Sequence, residues 1–244
     1  MKPININSFT EYVRCLCEEW DTDDLLFRGQ RSDESLLPRL GRLKFQEGKK
    51  LIQVEQEMLL EFKRQALPFL DRIPDNDWDW LALAQHHGLG TRLLDWTTNP
   101  FAALWFAVEK PPKKQSKNTK SYLPGVVWIF DASADHYITD YEKSSPFEIK
   151  RTMIFRPKHI TRRIVAQFGW FTVHKWMKSQ NRFIPLENIK RYKNQLQKVT
   201  IPYDLFASIR RELDRCGFNA SSLFPDLDGL CQNILWQNTL LQDE

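Results

Sequence analysis

The chain has 244 residues, a formal net charge of +4 and 42% hydrophobic residues, which is ordinary for a soluble globular protein. No stretch reaches the length of apolar sequence that a membrane helix needs, and the first residues lack the apolar core of a secretory signal. We therefore expect a cytoplasmic protein with no membrane partner. Four cysteines without metal-ligand spacing predict reduced thiols: Cys15, Cys17, Cys216 and Cys231.

The positive charge is concentrated in one segment. Residues 151–215 carry 15 Lys and Arg against 4 Asp and Glu, whereas residues 216–244 carry no Lys or Arg. Such a segment is either a solvated basic face or a surface for an anionic ligand such as a phosphate, a nucleotide or RNA.

The first elements alternate between helix and strand. Apolar spacing predicts a helix over residues 5–20, capped by Asn7 or Ser8. Leu25–Phe27 predicts a short strand, with Arg28, Gly29 and Gln30 at its C-terminal end. An arginine there presents a guanidinium to an anion, with glycine allowing close approach of the ligand, or it pairs with an internal carboxylate. Two further helices are predicted. One runs over residues 47–66, with Leu51, Val54, Met58 and Phe62 inward, and the other is capped by Asp77 and ends at Gly88, with Trp80, Leu81, Ala84 and His87 inward.

The chain is organised around residues 85–107, which place polar groups where apolar elements meet. Leu93 and Leu94 read as a buried strand, and Asn99 followed by Pro100 reads as the start of a helix. Polar groups concentrated between apolar elements usually line a site. Those of the stretch are two histidines, an arginine, an aspartate and two threonines: His86, His87, Arg92, Asp95, Thr97 and Thr98.

The second half is less regular. Residues 110–121 form a polar, proline-containing loop that we expect to be mobile, and residues 125–130 form a continuous apolar run typical of a central strand. A second strand is predicted over residues 168–173, a basic helix over 186–198, and a helix over 203–216 that ends at Gly217. With no repeats and no domain boundary, we expect one α+β domain, with a small, mostly antiparallel sheet surrounded by helices.

Four blocks in order resemble the FRG domain family, named for its Phe-Arg-Gly triplet. They are Phe27-Arg28-Gly29 with Gln30, the stretch Gln85 to Ala107, the run Arg163 to Thr172, and Leu223-Phe224-Pro225-Asp226-Leu227-Asp228-Gly229. The resemblance covers about residues 20–232 and implies a bacterial or phage protein.

A more distant resemblance leads to ADP-ribosyltransferases of the Arg-Ser-Glu type. Leu26-Phe27-Arg28-Gly29 is similar to their first strand, whose arginine holds the phosphates of NAD. Asp95-Trp96-Thr97-Thr98 and the helix after it are similar in layout to their Ser-Thr-Ser motif. The third motif of those enzymes is a strand that bears a catalytic glutamate, and this chain differs there. Its candidate strand region contains Gln167 and no glutamate, and Glu142 and Glu148 lie earlier in the chain. Transfer of ADP-ribose requires that catalytic carboxylate to polarise the ribose hydroxyl and stabilise oxocarbenium-like charge, whereas dinucleotide binding does not require it.

The candidate catalytic residues are thus Arg28, Asp95, Thr97 and Gln167, and the candidate ligand-binding residues are Gly29, Gln30, His87, Thr91, Arg92, Trp96, Thr98 and Arg163. Structural alternatives exist for several. Thr97 and Thr98 serve equally to cap a helix, Asp95 to orient Arg28 or Arg92, and Trp96 to fill the core. Asp226 and Asp228 are read as tying a turn to a basic residue. The histidines are adjacent, so we expect only one to enter a site, and no third ligand has zinc spacing, so no metal is predicted.

Two functions remain. The first is an enzyme that takes NAD or a nucleotide as substrate, related to ADP-ribosyltransferases or NAD glycohydrolases and used as a toxin or phage-defence effector, with a protein or nucleic acid as acceptor. It requires Arg28 and Thr97 to share a cleft beside Gln167. The second is a non-catalytic module that binds nucleic acid or a nucleotide through residues 151–215. It predicts salt-dependent binding that is lost on charge reversal at Arg162, Arg163, Lys190 and Arg191.

Overall fold

A computed structural model describes residues 3–20, 24–45, 49–116, 121–132, 136–139, 144–158, 161–241 and 243. The strands are β1 (Ile4–Asn5), β2 (Leu25–Gln30), β3 (Leu93–Thr97), β4 (Gly125–Asp131), β5 (Met153–Phe155), β6 (Gly169–Val173), β7 (Trp176–Met177), β8 (Arg182–Phe183) and β9 (Leu196–Ile201). The helices are α1 (Phe9–Glu18), α2 (Leu51–Ala66), α3 (Asp77–His86), α4 (Pro100–Val108), α5 (Arg162–Ala166), α6 (Phe206–Arg215), α7 (Ala220–Leu223) and α8 (Leu227–Asn238).

Seven strands form one twisted, mixed sheet in the order β1-β9-β4-β2-β3-β6-β5, and β7 and β8 form a separate hairpin. The edge pair β1–β9 is parallel and the other pairs are antiparallel. Six residue pairs join β2 to β4 and five join β3 to β6, whereas Phe27 opposite Thr97 is the register pair between β2 and β3. The sheet therefore consists of two half-sheets that are joined at its centre by this one register pair.

Side-chain caps explain where the helices begin. Ser8 accepts a hydrogen bond from the Glu11 amide, and Asn99 accepts from the amides of Phe101 and Ala102 ahead of Pro100. These two helix starts agree with the sequence prediction. The third helix differs by one residue, because Asn76 is its N-cap and Asp77 its first helical residue.

The hydrophobic core follows the alternation of the strands. Phe27, Val127 and Val199 share a cluster with α1, α4 and α6 on one face. The next residues of the same strands point to the opposite face, as Leu26 and Phe130 do in a second cluster with Trp96. Helices α2 and α3 cover a third cluster built on β3, β5 and β6. The α+β class and the mostly antiparallel sheet with helices packed around it are as predicted.

Several element boundaries differ from the sequence prediction. The predicted strand at 25–27 continues to Gln30, so Arg28 lies within the strand and not after it. The predicted basic helix over 186–198 is wrong: a short 3₁₀ turn at Leu186–Asn188 is followed by β9. The strands at 125–130 and 168–173 are confirmed, as is the helix end at Gly217 with its φ of +83°. Residues 117–120 of the loop expected to be mobile lie outside the described residues.

The buried side of α2 is rotated relative to the predicted apolar stripe. Leu51 is buried as expected, but the other fully buried positions are Glu55, Leu59 and Ala66, while Val54, Met58 and Phe62 are half-buried. The reason is an internal ion pair made by Glu55, which a hydrophobicity pattern does not reveal.

Candidate functional site

A cleft of about 1280 Å³ opens where β2 and β3 part. Its walls include Phe27–Gln30 of β2 and Leu93–Thr97 of β3, beyond the point where Phe27 pairs with Thr97. Residues from α3, α4 and α5 close the remaining sides. The divergence of two adjacent strands thus builds the cavity, and it exposes strand backbone that a continuous sheet would have paired.

Arg28 lies in this cleft with its side chain 20% exposed. Its Nη1 donates to the Asp95 carbonyl oxygen at 2.7 Å and lies 3.7 Å from the Asp95 carboxylate. Burial lowers the pKa of Arg28, an effect that the charge of Asp95 opposes, and a guanidinium keeps its proton in proteins. Its Nε is buried without a hydrogen-bond partner among the described residues. The cleft therefore holds a fixed cation with one N–H group to which the described residues offer no acceptor.

A chain of hydrogen bonds positions the Asp95 carboxylate. Its carboxylate, 56% exposed, accepts a hydrogen bond from Gln85 Nε2 at 3.0 Å. Gln85 in turn accepts from the Thr91 hydroxyl at 2.8 Å, and that hydroxyl accepts from the Leu93 amide at 3.0 Å. Thr91 is fully buried and supports the cleft without lining it.

Gly29 lines the cleft and also allows close packing of α4 on β2. A Cβ added there would stand 1.8 Å from the carbonyl oxygen of Ala103 in α4. On its Cβ side the backbone that comes close to this glycine is the helix, and its contact with a ligand stays a prediction. Gln30 lines the cleft but is 8% exposed, and its Oε1 accepts from Trp128 Nε1 at 3.1 Å.

The corner between β3 and α4 is mostly structural. Thr97 lines the cleft, but its hydroxyl accepts from the Asn99 amide at 3.0 Å and so shapes the entry to α4. Trp96 is 3% exposed and donates to the Thr172 hydroxyl, and its ring packs on Phe130 in the core. Thr98 is exposed and does not line the cleft.

Arg163 and Gln167 reach the cleft from α5 and its C-cap, on the shared face that their spacing predicts. The guanidinium of Arg163 lies 4.1 Å from the ring centre of Phe224, and burial lowers the pKa of Arg163. Gln167 Nε2 donates to the Leu223 carbonyl at 3.1 Å. Each side chain therefore ties α5 to the segment that contains α7.

Both histidines line the cleft, although their adjacency predicts that only one does. Their rings meet edge to face, with the ring centres 4.8 Å apart. His86 is the last residue of α3 and His87 is its C-cap, so the pair lies where the regular helix ends. Burial, aided by the charges of Arg163 and His87, lowers the pKa of His86 to about 4, so His86 is neutral at physiological pH. His87 is exposed, which corrects the prediction that it faces inward.

Arg92 lies outside the cleft in a buried ion pair. Its Nε and Nη2 both donate to the Glu55 carboxylate, at 3.0 and 2.6 Å, and Nη1 donates to the Pro146 carbonyl at 2.8 Å. The Phe147 ring covers the guanidinium at 4.7 Å. The geometry gives Arg92 a structural role, holding α2 against the start of β3, in place of the expected ligand contact.

The cleft also contains charged residues that the sequence reasoning missed. Glu109, directly after α4, lines it with a side chain that is 24% exposed; burial raises its pKa, and Lys110 Nζ lies 3.7 Å away. The only local signal for Glu109 is that it is the first charge after a nine-residue apolar helix, which does not by itself indicate a site. The other missed residues are the basic Arg31, Arg39, Arg42, Lys110 and Lys113, with Glu34, which pairs with Arg42 and Lys113.

The remaining acidic candidates have other positions. Asp226 lines the cleft but also caps α8, accepting from the Gly229 amide at 2.8 Å. Asp228 is exposed at the cleft edge. Glu148 is exposed and does not line the cleft, and Glu142 lies outside the described residues.

Within the described part of the chain, no three His, Cys, Asp or Glu side chains are grouped as metal ligands. In the same residues, no helix combines the length and the apolar character needed to cross a bilayer.

Comparison with known proteins gives one match. The family model of the FRG domain matches residues 23–116, which contain β2, β3, the Phe-Arg-Gly triplet and Glu109. No curated protein and no solved structure matches the chain significantly.

Proposed function

From the premise that this chain carries an FRG domain, we propose that it binds NAD or a related nucleotide in the cleft between β2 and β3. The observation that supports this most is the position of Arg28. Its guanidinium is anchored by the Asp95 carbonyl, and its Nε is left without a partner among the described residues. A positioned guanidinium is the side chain best suited to a phosphate, since it donates two parallel hydrogen bonds.

The size and charge of the cleft support the same ligand class. At about 1280 Å³ the cavity exceeds the usual volume of a site for a drug-sized molecule, so it has room for a dinucleotide. Seven Lys or Arg side chains and five carboxylates line it, which leaves an excess of two positive charges: Arg28, Arg31, Arg39, Arg42, Lys110, Lys113 and Arg163 against Glu34, Asp95, Glu109, Asp226 and Asp228. A pyrophosphate carries the charge that such a lining favours.

We extend the proposal to hydrolysis of NAD, with Glu109 as the carboxylate that the third motif lacks. In this reaction the bond between the nicotinamide nitrogen and ribose C1′ breaks, water oxygen bonds to C1′, and nicotinamide leaves with the bonding electrons. One proton of the water is released, and Glu109 accepts it. The raised pKa of Glu109 suits a general base at neutral pH better than an ordinary exposed glutamate does.

Such an activity consumes a central cofactor, which fits a toxin or a phage-defence effector. The protein or nucleic-acid acceptor of a transferase would replace water in the same step. The roles of Asp95, Thr97 and Gln167 in catalysis stay predictions, since the hydroxyl of Thr97 and the amide of Gln167 already bond to backbone groups.

The test combines binding with product release. NAD is titrated into the purified protein by calorimetry, and nicotinamide release is followed by chromatography. We expect Arg28→Ala to weaken binding at least about tenfold, and Glu109→Gln to keep binding and lose release. Arg64→Ala, which removes an exposed arginine outside the cleft, is the matched control. No heat and no thermal shift with NAD or other nucleotides would contradict the proposal.

The binding-module alternative predicts a different outcome. Arg162, Lys190 and Arg191 are exposed on the surface, outside the cleft. If residues 151–215 bind nucleic acid, reversing these three charges abolishes binding to an oligonucleotide and removes its salt dependence. The NAD proposal expects the same triple variant to bind NAD as the wild type does.

A further inference from the structure

A second groove joins the cleft at its α4 side. It measures about 720 Å³ and lies between α4, α7 and α8. Six residues line both cavities, so the two meet where α4 ends and α8 begins: Phe106, Glu109, Lys110, Arg163, Asp226 and Asp228. A ligand that enters one cavity can therefore extend into the other.

The groove differs from the cleft in its chemistry, because one wall is aromatic. Its rings belong to Trp105, Phe106, Phe218, Phe224 and Trp236. Phe224 packs on Trp105 at 5.8 Å and on Phe106 at 6.2 Å, and Arg163 covers it at the junction with the cleft. Rings and a guanidinium plane together form a surface on which a flat heteroaromatic ring stacks.

Asn233 supplies an independent observation. This residue of α8 lines the groove and is 8% exposed, and its side-chain oxygen is buried without a hydrogen-bond partner among the described residues. Native proteins rarely leave a buried carbonyl oxygen unpaired, because its lost hydration is not replaced. An N–H donor on a ligand would satisfy it.

We propose that the second groove is the base subsite of the nucleotide whose phosphates lie at Arg28, and that it selects a base with an amino group on its edge, as adenine has. The inference rests on the proposed function, since it assigns the other end of the same ligand. The base stacks on the aromatic wall, its amine donates to Asn233 Oδ1, and Arg163 faces the phosphate side of the junction. The ligand's apolar and anionic ends thus match the two cavities.

Three phosphates separate the contributions: AMP, purine riboside 5′-monophosphate, which lacks the amine, and ribose 5-phosphate, which lacks the base. Each is titrated into the wild-type protein and into Trp236→Ala and Asn233→Leu. Ile234→Ala is the matched control, because Ile234 lies on the same helix, is 51% exposed and does not line the groove. Asn233→Leu keeps the side-chain volume and removes an unpaired oxygen, so it is expected to fold.

We expect AMP to bind the wild type at least about tenfold more tightly than ribose 5-phosphate. Trp236→Ala should remove most of that ratio and leave ribose 5-phosphate binding unchanged. Asn233→Leu should make AMP and purine riboside 5′-monophosphate bind equally. Equal affinity of the wild type for AMP and ribose 5-phosphate, or the same loss in Ile234→Ala as in Trp236→Ala, would overturn the base subsite.

Failure of the proposed function gives a separate result. In that case none of the three phosphates binds the wild type, or Arg28→Ala binds them all as the wild type does. Both results would also contradict the base subsite. If AMP and ribose 5-phosphate instead bind equally and their binding depends on Arg28, only the base subsite is contradicted.

Discussion

Gly29 of β2 lies so close to Ala103 of α4 that no side chain fits between them. An added Cβ would stand 1.8 Å from the Ala103 carbonyl oxygen and 2.8 Å from the Ala107 amide nitrogen. The residues of the triplet Phe27-Arg28-Gly29 therefore have different roles on the two faces of one strand. Phe27 and Gly29 face the helix, and Arg28 faces the cleft.

The first prediction is that Gly29→Ala destabilises the fold strongly. Because the clash is with helix backbone, neither partner can move without shifting α4, and we expect the free energy of unfolding to fall by about 3 kcal/mol or more. Urea denaturation measures it. Gly217→Ala is the control: Gly217 has a φ of +83° and no atom near its missing Cβ, so only backbone strain of about 1 kcal/mol applies. Equal losses in both variants would contradict the packing explanation.

The second prediction concerns the pair between Arg92 and Glu55. Both side chains are fully buried, so Arg92→Met leaves an uncompensated carboxylate in the core and should cost about 3–5 kcal/mol of unfolding free energy. The double variant Arg92→Met with Glu55→Met should recover much of that loss, since no buried charge remains. Chemical denaturation of Arg92→Met, Glu55→Met and the double variant gives the coupling, and additive losses would argue against a direct pair.

The sequence predicts the parts of this structure that local chemistry determines. The cap at Asn99, the left-handed Gly217 and the apolar run of β4 depend on neighbouring residues, and all are observed. The convergence of Arg28 with Thr97 and Gln167 was a condition of the NAD hypothesis, and the three residues do line one cleft.

What the sequence could not predict depends on contacts distant in the chain. Arg92 carries the same charge as Arg28, and only the burial of Glu55, 37 residues earlier, shows that it is structural. Glu109 reads as the first residue of a surface loop, and it becomes part of the site because α4 packs on β2. The groove near Asn233 needs three helices to meet, which no local pattern encodes.

The third prediction is a loss of stability in acid caused by His174. This histidine is fully buried, and burial lowers its pKa to about 3. The neutral ring fits its partners, with Nδ1 donating to the Ile184 carbonyl and Nε2 accepting from the Thr172 hydroxyl. In the unfolded chain it takes up a proton near pH 6.5, so below that pH the unfolded state binds more protons than the folded state.

The stability that His174 provides is therefore complete above pH 6.5 and falls as the pH drops toward 3. The difference in unfolding free energy between the wild type and His174→Gln should shrink by about 1.4 kcal/mol per pH unit between pH 6 and 4. Urea titrations at fixed pH values measure it, with His87→Gln, an exposed ring, as the control. A difference that does not change with pH would show that His174 has the same pKa in the folded and unfolded states.

The last prediction separates the two roles open to Asp95. Its carboxylate lies 3.7 Å from Arg28 Nη1, but the shorter bond, at 2.7 Å, goes to the Asp95 carbonyl, which a side-chain substitution leaves in place. Asp95→Asn therefore keeps Arg28 anchored and removes one negative charge from the cleft. We expect NAD to bind up to about fivefold more tightly, the size of effect that an exposed charge produces. Asp131→Asn makes the same change at an exposed strand end outside the cleft and should alter nothing. Because Glu109 is the proposed proton acceptor, nicotinamide release should persist in Asp95→Asn; if release disappears while binding improves, the catalytic carboxylate is Asp95 and not Glu109.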